Sequence, residues 1–147
     1  MLIAIGCDHT ALDFKSEIMA YLEELGHTVT DIGVFSSEAF DYPLIAEKVA
    51  VEVVSGKCER GIVICGTGIG VSISANKVRG IRCACCADCY SAVLSRQHND
   101  ANMLALGSRV TGAEAAKMIA KLWLEAEFMG GRHSGRVALI HEIENRQ

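Results

Sequence analysis

The chain has 147 residues, enough for one ordinary domain that buries its own core without disulfide or metal staples. Half of the residues are apolar, 22% are charged and one is proline, a globular composition with no disordered tail, no membrane-length apolar run and no expected secretory leader. The formal net charge of −4 argues against a general affinity for nucleic acid, so an anionic ligand would need local basic groups.

Apolar runs alternate with helical periodicity along the chain. Leu2–Ile5 reads as a strand ending at Gly6. Residues Thr10 to Leu25 place Phe14, Ile18, Leu22 and Leu25 on one helical face, and Gly26 stops the helix. His27–Ile32 is a second strand. Tyr42–Val54 carries Ile45, Val49 and Val53 at helical spacing, with Asp41 before it and Pro43 in its first turn. Gly61–Ile64 is a third strand, followed by a Gly-rich loop and a short helix to about Lys77. Ile81–Cys85 makes a fourth, and Asp88 is placed to cap a helix running to Gln97. Asn102–Leu106 makes a fifth. Thr111 and Glu114 are spaced as a capping box for a helix bearing Ala115, Met118, Ile119 and Leu122. After Gly130-Gly131 comes a last helical stretch with Val137, Ile140 and Ile143.

Strands alternating with helices imply βαβ units and hence a parallel sheet covered on both faces. The expected fold is a three-layer α/β/α sandwich on a five-stranded parallel sheet, Rossmann-like or flavodoxin-like, with an extra C-terminal helix. Ligands in such folds bind outside the carboxyl ends of the strands.

Seven cysteines, an odd number, fit a reducing cytoplasm where each thiol is a small core group or a reactive one. Cys86 and Cys89 form a C-x-x-C pair in the Cys83–Cys89 cluster, but no second pair or spaced histidine completes a zinc site. Packing is the expected use, and no metal is assigned.

Two strand ends carry chemistry. Gly6-Cys7-Asp8-His9 follows the first strand, and Cys65-Gly66-Thr67-Gly68-Ile69-Gly70 follows the third. The glycines let backbone N–H groups turn inward as an anion-binding nest, which favours the ionised form of a thiol placed there. On the residues alone, the loop reads equally as a tight turn holding a buried thiol. Spacing eliminates several alternatives. There is no Gly-Lys-Ser/Thr of a nucleotide P-loop, and Val71 stands where a dinucleotide fingerprint needs glycine and where a cysteine phosphatase needs arginine. A receiver domain would end the third strand in aspartate, not Cys65.

Arg132, His133 and Arg136 cluster after Gly130-Gly131, and Arg109 follows the fifth strand. Arginines four apart share a helix face and suit bidentate phosphate binding, although a solvated surface face has the same pattern. A lone histidine such as His98 near a helix end is more often a cap than a catalyst. Asp41 and Tyr42 open a helix and need do no more than cap it.

Together these segments resemble the type B ribose-5-phosphate isomerases and the related allose- and galactose-6-phosphate isomerases. The matching stretches are Gly6-Cys7-Asp8-His9, Ser36-Ser37-Glu38, Asp41-Tyr42-Pro43, Ile64 through Gly70 and Ala75-Asn76-Lys77. They continue with Tyr90-Ser91-Ala92, Ser95 through Asn102, Gly107-Ser108-Arg109-Val110 and Gly130-Gly131-Arg132-His133. Ser95–Asn102 is far more specific than the glycine loop. Some members of that family carry a glutamate elsewhere on the loop; here Cys65 is present and the residue after the loop is apolar Val71, so the cysteine form applies.

The resemblance implies a single sugar-phosphate isomerase domain over residues 1–147, with Cys65 as the base and His98 helping to open the furanose ring. Asp8, His9, Tyr42, Asn99 and the loop residues Gly66, Gly68, Ile69 and Gly70 would hold the sugar. Arg132 and Arg136, with Arg109, would hold the phosphate. On chemical grounds the Thr67 hydroxyl could relay protons at the ring oxygens. A hydride shift between aldose and ketose calls for a divalent metal, and the sequence offers no convincing ligand set. Proton transfer through an enediolate, without cofactor, is therefore the expected route. A six-carbon sugar phosphate is the alternative substrate, and a non-catalytic sugar-phosphate module would have no need of Cys65 and His98.

Cys65, Asp8 and Arg109 follow strands, whereas His98 and Asn99 precede one, so they should lie at opposite edges of the sheet. A homodimer or dimer of dimers with shared sites would bring them together.

Overall fold

A computed structural model describes residues 1–146. Its elements in chain order are β1 (Leu2–Cys7), α1 (Leu12–Glu24), β2 (Thr28–Gly33), α2 (Tyr42–Val54), β3 (Arg60–Cys65) and α3 (Ile69–Ala75). They continue with β4 (Cys83–Cys85), α4 (Cys89–Asn99), β5 (Met103–Gly107), α5 (Ala113–Glu125) and α6 (Arg132–Asn145). All strand pairs are parallel. The central strands are buried on both faces, which is why β1, β3 and β5 read as continuous apolar runs rather than alternating ones.

The order across the sheet is β2-β1-β3-β5-β4. The last two strands are thus exchanged relative to simple outward winding, and this places α4. Right-handed crossovers put α2 and α3 on one face as the chain moves from β2 across to β4. The return step to β5 puts α4 on the other face with α1 and α5. The two cores follow this division. Ile3, Ile5, Ile62, Ile64, Leu104 and Leu106 pack with Ile18, Leu22, Ile119 and Trp123 on one side. Ala4, Val63, Cys65, Met103 and Ala105 pack with Ala46, Val49, Val71 and Ala75 on the other. Burying each large aliphatic of this kind contributes roughly 1.5–3 kcal/mol.

Two local expectations are corrected. Thr111 and Glu114 form no capping box: α5 starts from Gly112 without a side-chain cap, Thr111 is buried, and Glu114 pairs with Lys117 at 2.7 Å instead. The buried face of α5 is Ala116, Ile119, Ala120, Trp123 and Leu124, while Met118 is exposed. The fully buried Trp123 is the largest anchor on that helix, and its position sets the rotation. Asp88 does cap α4, accepting from Ser91 N–H at 2.7 Å, and this bond holds its carboxyl below the usual carboxylate range. The extra helix α6 lies outside the sandwich against α4, burying only His133 and Val137 and leaving Leu139, Ile140 and Ile143 exposed.

Candidate active site

β1 leads outward to β2 and β3 leads the opposite way, so their carboxyl ends flank the topological switch point of the sheet. Asp8 and Cys65 stand there, and Asp8 N–H donates to Ile64 O at 3.1 Å. The Asp8 carboxylate is buried and accepts from Thr10 N–H at 2.9 Å and Thr10 Oγ1–H at 2.6 Å, which fixes its rotamer. His9 Nδ1 accepts from Phe40 N–H at 3.3 Å, leaving Nε2 for another partner.

Cys65 is 6% exposed, and the Gly68 N–H donates to its Sγ at 3.1 Å. A backbone donor aimed at sulfur stabilises negative charge on that atom. The turn that delivers it requires glycine: Gly68 has φ +78°, and a Cβ there would stand 2.9 Å from the Leu106 carbonyl carbon. Tyr42, the first residue of α2, lays its ring against Gly70 so closely that a Cβ on Gly70 would meet it at 2.7 Å. Arg109 N–H donates to Gly66 O at 3.0 Å, and its side-chain stem runs along the same loop. Asp8, His9, Tyr42, Gly66, Thr67, Gly68, Ile69, Gly70 and Arg109 therefore gather with Cys65 at the carboxyl edge.

His98 and Asn99 do not join them. They end α4 beside the start of β5, at the amino edge, and strands of this length separate the two edges by about 17–20 Å. Around His98 a second group assembles from α6. Met129 N–H donates to Gln97 O at 3.0 Å, tying the approach to α6 onto the end of α4. The His98 and His133 rings then stack with centroids 4.2 Å apart and planes 7° apart. Arg132 and Arg136 are exposed on the adjacent face of α6. A cavity of about 650 Å³ opens at this same edge, lined in part by Arg82, Asn99, Ile140 and Glu144, and it does not include Cys65.

His133 is the residue whose place the sequence reading did not assign. Its signal was the i, i+4 pair with Val137, a buried face one step round from the Arg132–Arg136 pair. Burial, then neighbouring His98, Arg132 and Arg136, hold its imidazole below the ordinary histidine range. The folded state therefore keeps His133 neutral where the unfolded chain takes up a proton, near about pH 6.5. Stability from this group is complete above that pH and is lost as the solution is acidified through it. Thermal melts at about pH 7.5 and about pH 5.5 should show a smaller acid-induced drop in Tm for His133→Phe than for the parent chain. Equal drops would mean that His133 takes no part in the acid sensitivity.

Cys7, Cys58, Cys83 and Cys86 are buried, as the packing role requires, whereas Cys85 is exposed and Cys89 partly so. Burial pushes Cys7 up to about 11, Cys83 to about 12 and Cys86 to about 11. Cys83 and Cys86 belong to cores on opposite faces of the sheet. Among the described residues no three His, Cys, Asp or Glu side chains converge as a metal site would require.

Residues 3–140 match the family described as Ribose/Galactose Isomerase. The chain is 55% identical to Ribose-5-phosphate isomerase B of Escherichia coli over 145 residues, covering 99% of this chain and 97% of the relative. It is 47% identical to D-erythrulose-4-phosphate isomerase of Pectobacterium atrosepticum over 146 residues, covering 99% and 96%. Among solved structures, Ribose-5-Phosphate Isomerase B of Clostridium thermocellum superposes with a TM-score of 0.98 at 54% identity, covering 99% of each chain.

Proposed function

Because the chain belongs to the ribose/galactose isomerase family, we propose that this aldose–ketose isomerase interconverts ribose 5-phosphate and ribulose 5-phosphate by metal-independent proton transfer, as one domain over residues 1–147. The observation that carries the reading is the Gly68 N–H donated to a Cys65 thiol at the switch point of the sheet. His98 assists ring opening to the free aldehyde. Cys65 Sγ as thiolate then takes the proton from C2, and the released electron pair shifts into the carbonyl to form an enediolate. Loop N–H groups stabilise its oxygens, a contribution of about 3–4 kcal/mol for a well-placed donor. The proton returns from Cys65 to C1, while Thr67 moves the hydroxyl proton from O2 to O1, leaving the ketone at C2. A positioned base of this kind supplies about 10²–10⁴ in rate.

Asp8, His9, Tyr42 and Asn99 hold the sugar, and Arg109, Arg132 and Arg136 hold the phosphate. The split of these residues between two edges supports a homodimer or dimer of dimers in which each site takes its Cys65 group from one chain and its His98 group from another. Free cysteines at all seven positions suit the reducing cytoplasm in which we place the enzyme.

A coupled assay with ribose 5-phosphate tests the reading, run beside allose 6-phosphate, galactose 6-phosphate and erythrulose 4-phosphate. Ribose 5-phosphate should give the highest kcat/KM, and activity should survive prolonged chelation. Faster turnover of one of the others would reassign the substrate, and loss on chelation with rescue by a divalent ion would overturn the proton-transfer route. Arg132→Ala and Arg136→Ala should each raise KM by about 10- to 150-fold, since a charge-assisted hydrogen bond contributes roughly 1.5–3 kcal/mol. Unchanged KM in both would move the phosphate to other basic groups.

A further inference from the structure

Arg82, just before β4, sends its guanidinium to the C-terminal end of α4. Its Nε donates to the carbonyls of Asn99 and Asp100, each at 3.0 Å, and its Nη2 donates to Asp100 O at 2.8 Å and to Asp100 Oδ2 at 3.0 Å. Its Nη1 lies 2.8 Å from His141 Nε2 on α6; a guanidinium has only donors, so the imidazole nitrogen is the acceptor. The second carboxylate oxygen of Asp100 is taken by Arg96, which donates from Nη1 to Oδ1 at 2.8 Å and to Ala101 O at 2.7 Å. The Asn102 side chain steadies the backbone from which Arg82 projects, accepting from Arg82 N–H and donating to Gly80 O, both at 2.8 Å.

Asp100 has φ +47°, a left-handed conformation that non-glycine residues adopt sparsely. The helix is already terminated there by backbone bonds from Asp100 N–H to Arg96 O and Ala101 N–H to Ser95 O. Water could satisfy the remaining carbonyls at an exposed helix end. Arg82 satisfies them directly and also reaches α6, through His141. The Arg82 and Arg96 side chains are 14% and 5% exposed, so this is a partly buried network rather than a surface pair of little consequence. His98 and Asn99 immediately precede Asp100, and α6 carries Arg132, His133 and Arg136.

We propose that Arg82 is a positioning residue: with Asp100 and His141 it locks the end of α4, bearing His98 and Asn99, to the helix bearing the phosphate-binding arginines. The inference rests on the proposed role of those residues in isomerisation, but its structural content can be read without turnover. Arg82→Lys keeps the charge while losing the planar fork that spans Asn99, Asp100 and His141 together. In the full-length protein it should melt as a folded protein yet lose about 10- to 100-fold in kcat, the scale of a small misplacement of reacting groups. His141→Phe, which frees only the α6 end, should raise KM for ribose 5-phosphate more than it lowers kcat. The imidazole ¹⁵N resonances of His98 should shift in Arg82→Lys and stay in place in Lys121→Met, a control on the exposed face of α5. The melting temperature and far-UV circular dichroism of Arg82→Lys should stay close to those of the parent chain.

Parental kcat and KM with unmoved His98 resonances in Arg82→Lys would overturn the proposal. So would parallel loss of kcat and folded fraction, which would make Arg82 a general stability element. If the parent chain turns over none of the sugar phosphates, the functional reading fails, and the His98 resonances still decide whether Arg82 holds that ring.

Discussion

Cys65→Ala should lower kcat for ribose 5-phosphate by at least about 10²-fold while the protein still folds and binds substrate. The expectation follows from the surroundings of the sulfur. The thiol sits at the end of β3 within the core shared by α2 and α3, yet one backbone donor, Gly68 N–H, is aimed at it. Structural thiols elsewhere in the chain are kept protonated by burial, as at Cys83 and Cys86. Truncation to alanine removes one atom and frees one N–H, a loss on the order of 1 kcal/mol that a folded domain tolerates. Tm should therefore move by only a few degrees, and KM should change much less than kcat, because the arginines proposed to bind phosphate are untouched. Alkylation provides an independent measurement. Iodoacetamide should inactivate the parent chain, a substrate analogue should protect it, and mass mapping should place the protected adduct on Cys65. Cys85 is exposed and will also label, so the informative quantity is the adduct whose loss tracks protection. Near-normal turnover of Cys65→Ala, or inactivation that tracks Cys85 alone, would remove Cys65 from the mechanism.

The second large effect is recovery of activity rather than loss. Cys65→Ala and His98→Ala proteins should each be crippled as homo-oligomers. Co-expressed with different tags and purified as a heterodimer, they should regain activity towards half of the parent. One of the two sites then holds an intact Cys65 from one chain and an intact His98 from the other, while the second site carries both substitutions. The geometric ground is strand direction. α4 runs from the carboxyl end of β4 back to the amino end of β5, and so delivers His98 to the edge opposite Cys65. The stacked His98 and His133 rings and the Arg82 network hold that delivery in place. Verified heterodimers as inactive as their parents would show that Cys65 and His98 do not act on one sugar across an interface.

Two kinds of information in the chain set this arrangement. Local pattern was enough for everything that depends on neighbouring residues. The spacing of Ile45, Val49 and Val53, with Pro43 in the first turn, defined α2 to its terminal residues, because periodicity and proline geometry act within one or two turns. The Asp88 cap and the position of Cys65 at a strand end were legible for the same reason. Even the separation of His98 from Cys65 followed from strand direction, since every parallel βαβ unit starts its next strand at the opposite edge.

What local pattern could not decide was anything settled by residues far apart in sequence. The exchange of β4 and β5 depends on which strand edge competes best for β3, and each apolar run alone fits either place. The rotation of α5 was decided by the volume of Trp123 filling the core beneath α1 and β5, against a hydrophobic pattern that favoured Met118. Thr111 lost its capping role because the turn after β5 buries its side chain. The His98–His133 stack and the reach of Arg82 to both Asp100 and His141 join residues 18 to 59 positions apart. A histidine or arginine read alone carries no mark of such a partner; only the docking of α6 on α4 brings those side chains within hydrogen-bonding and stacking distance, where short-range forces act.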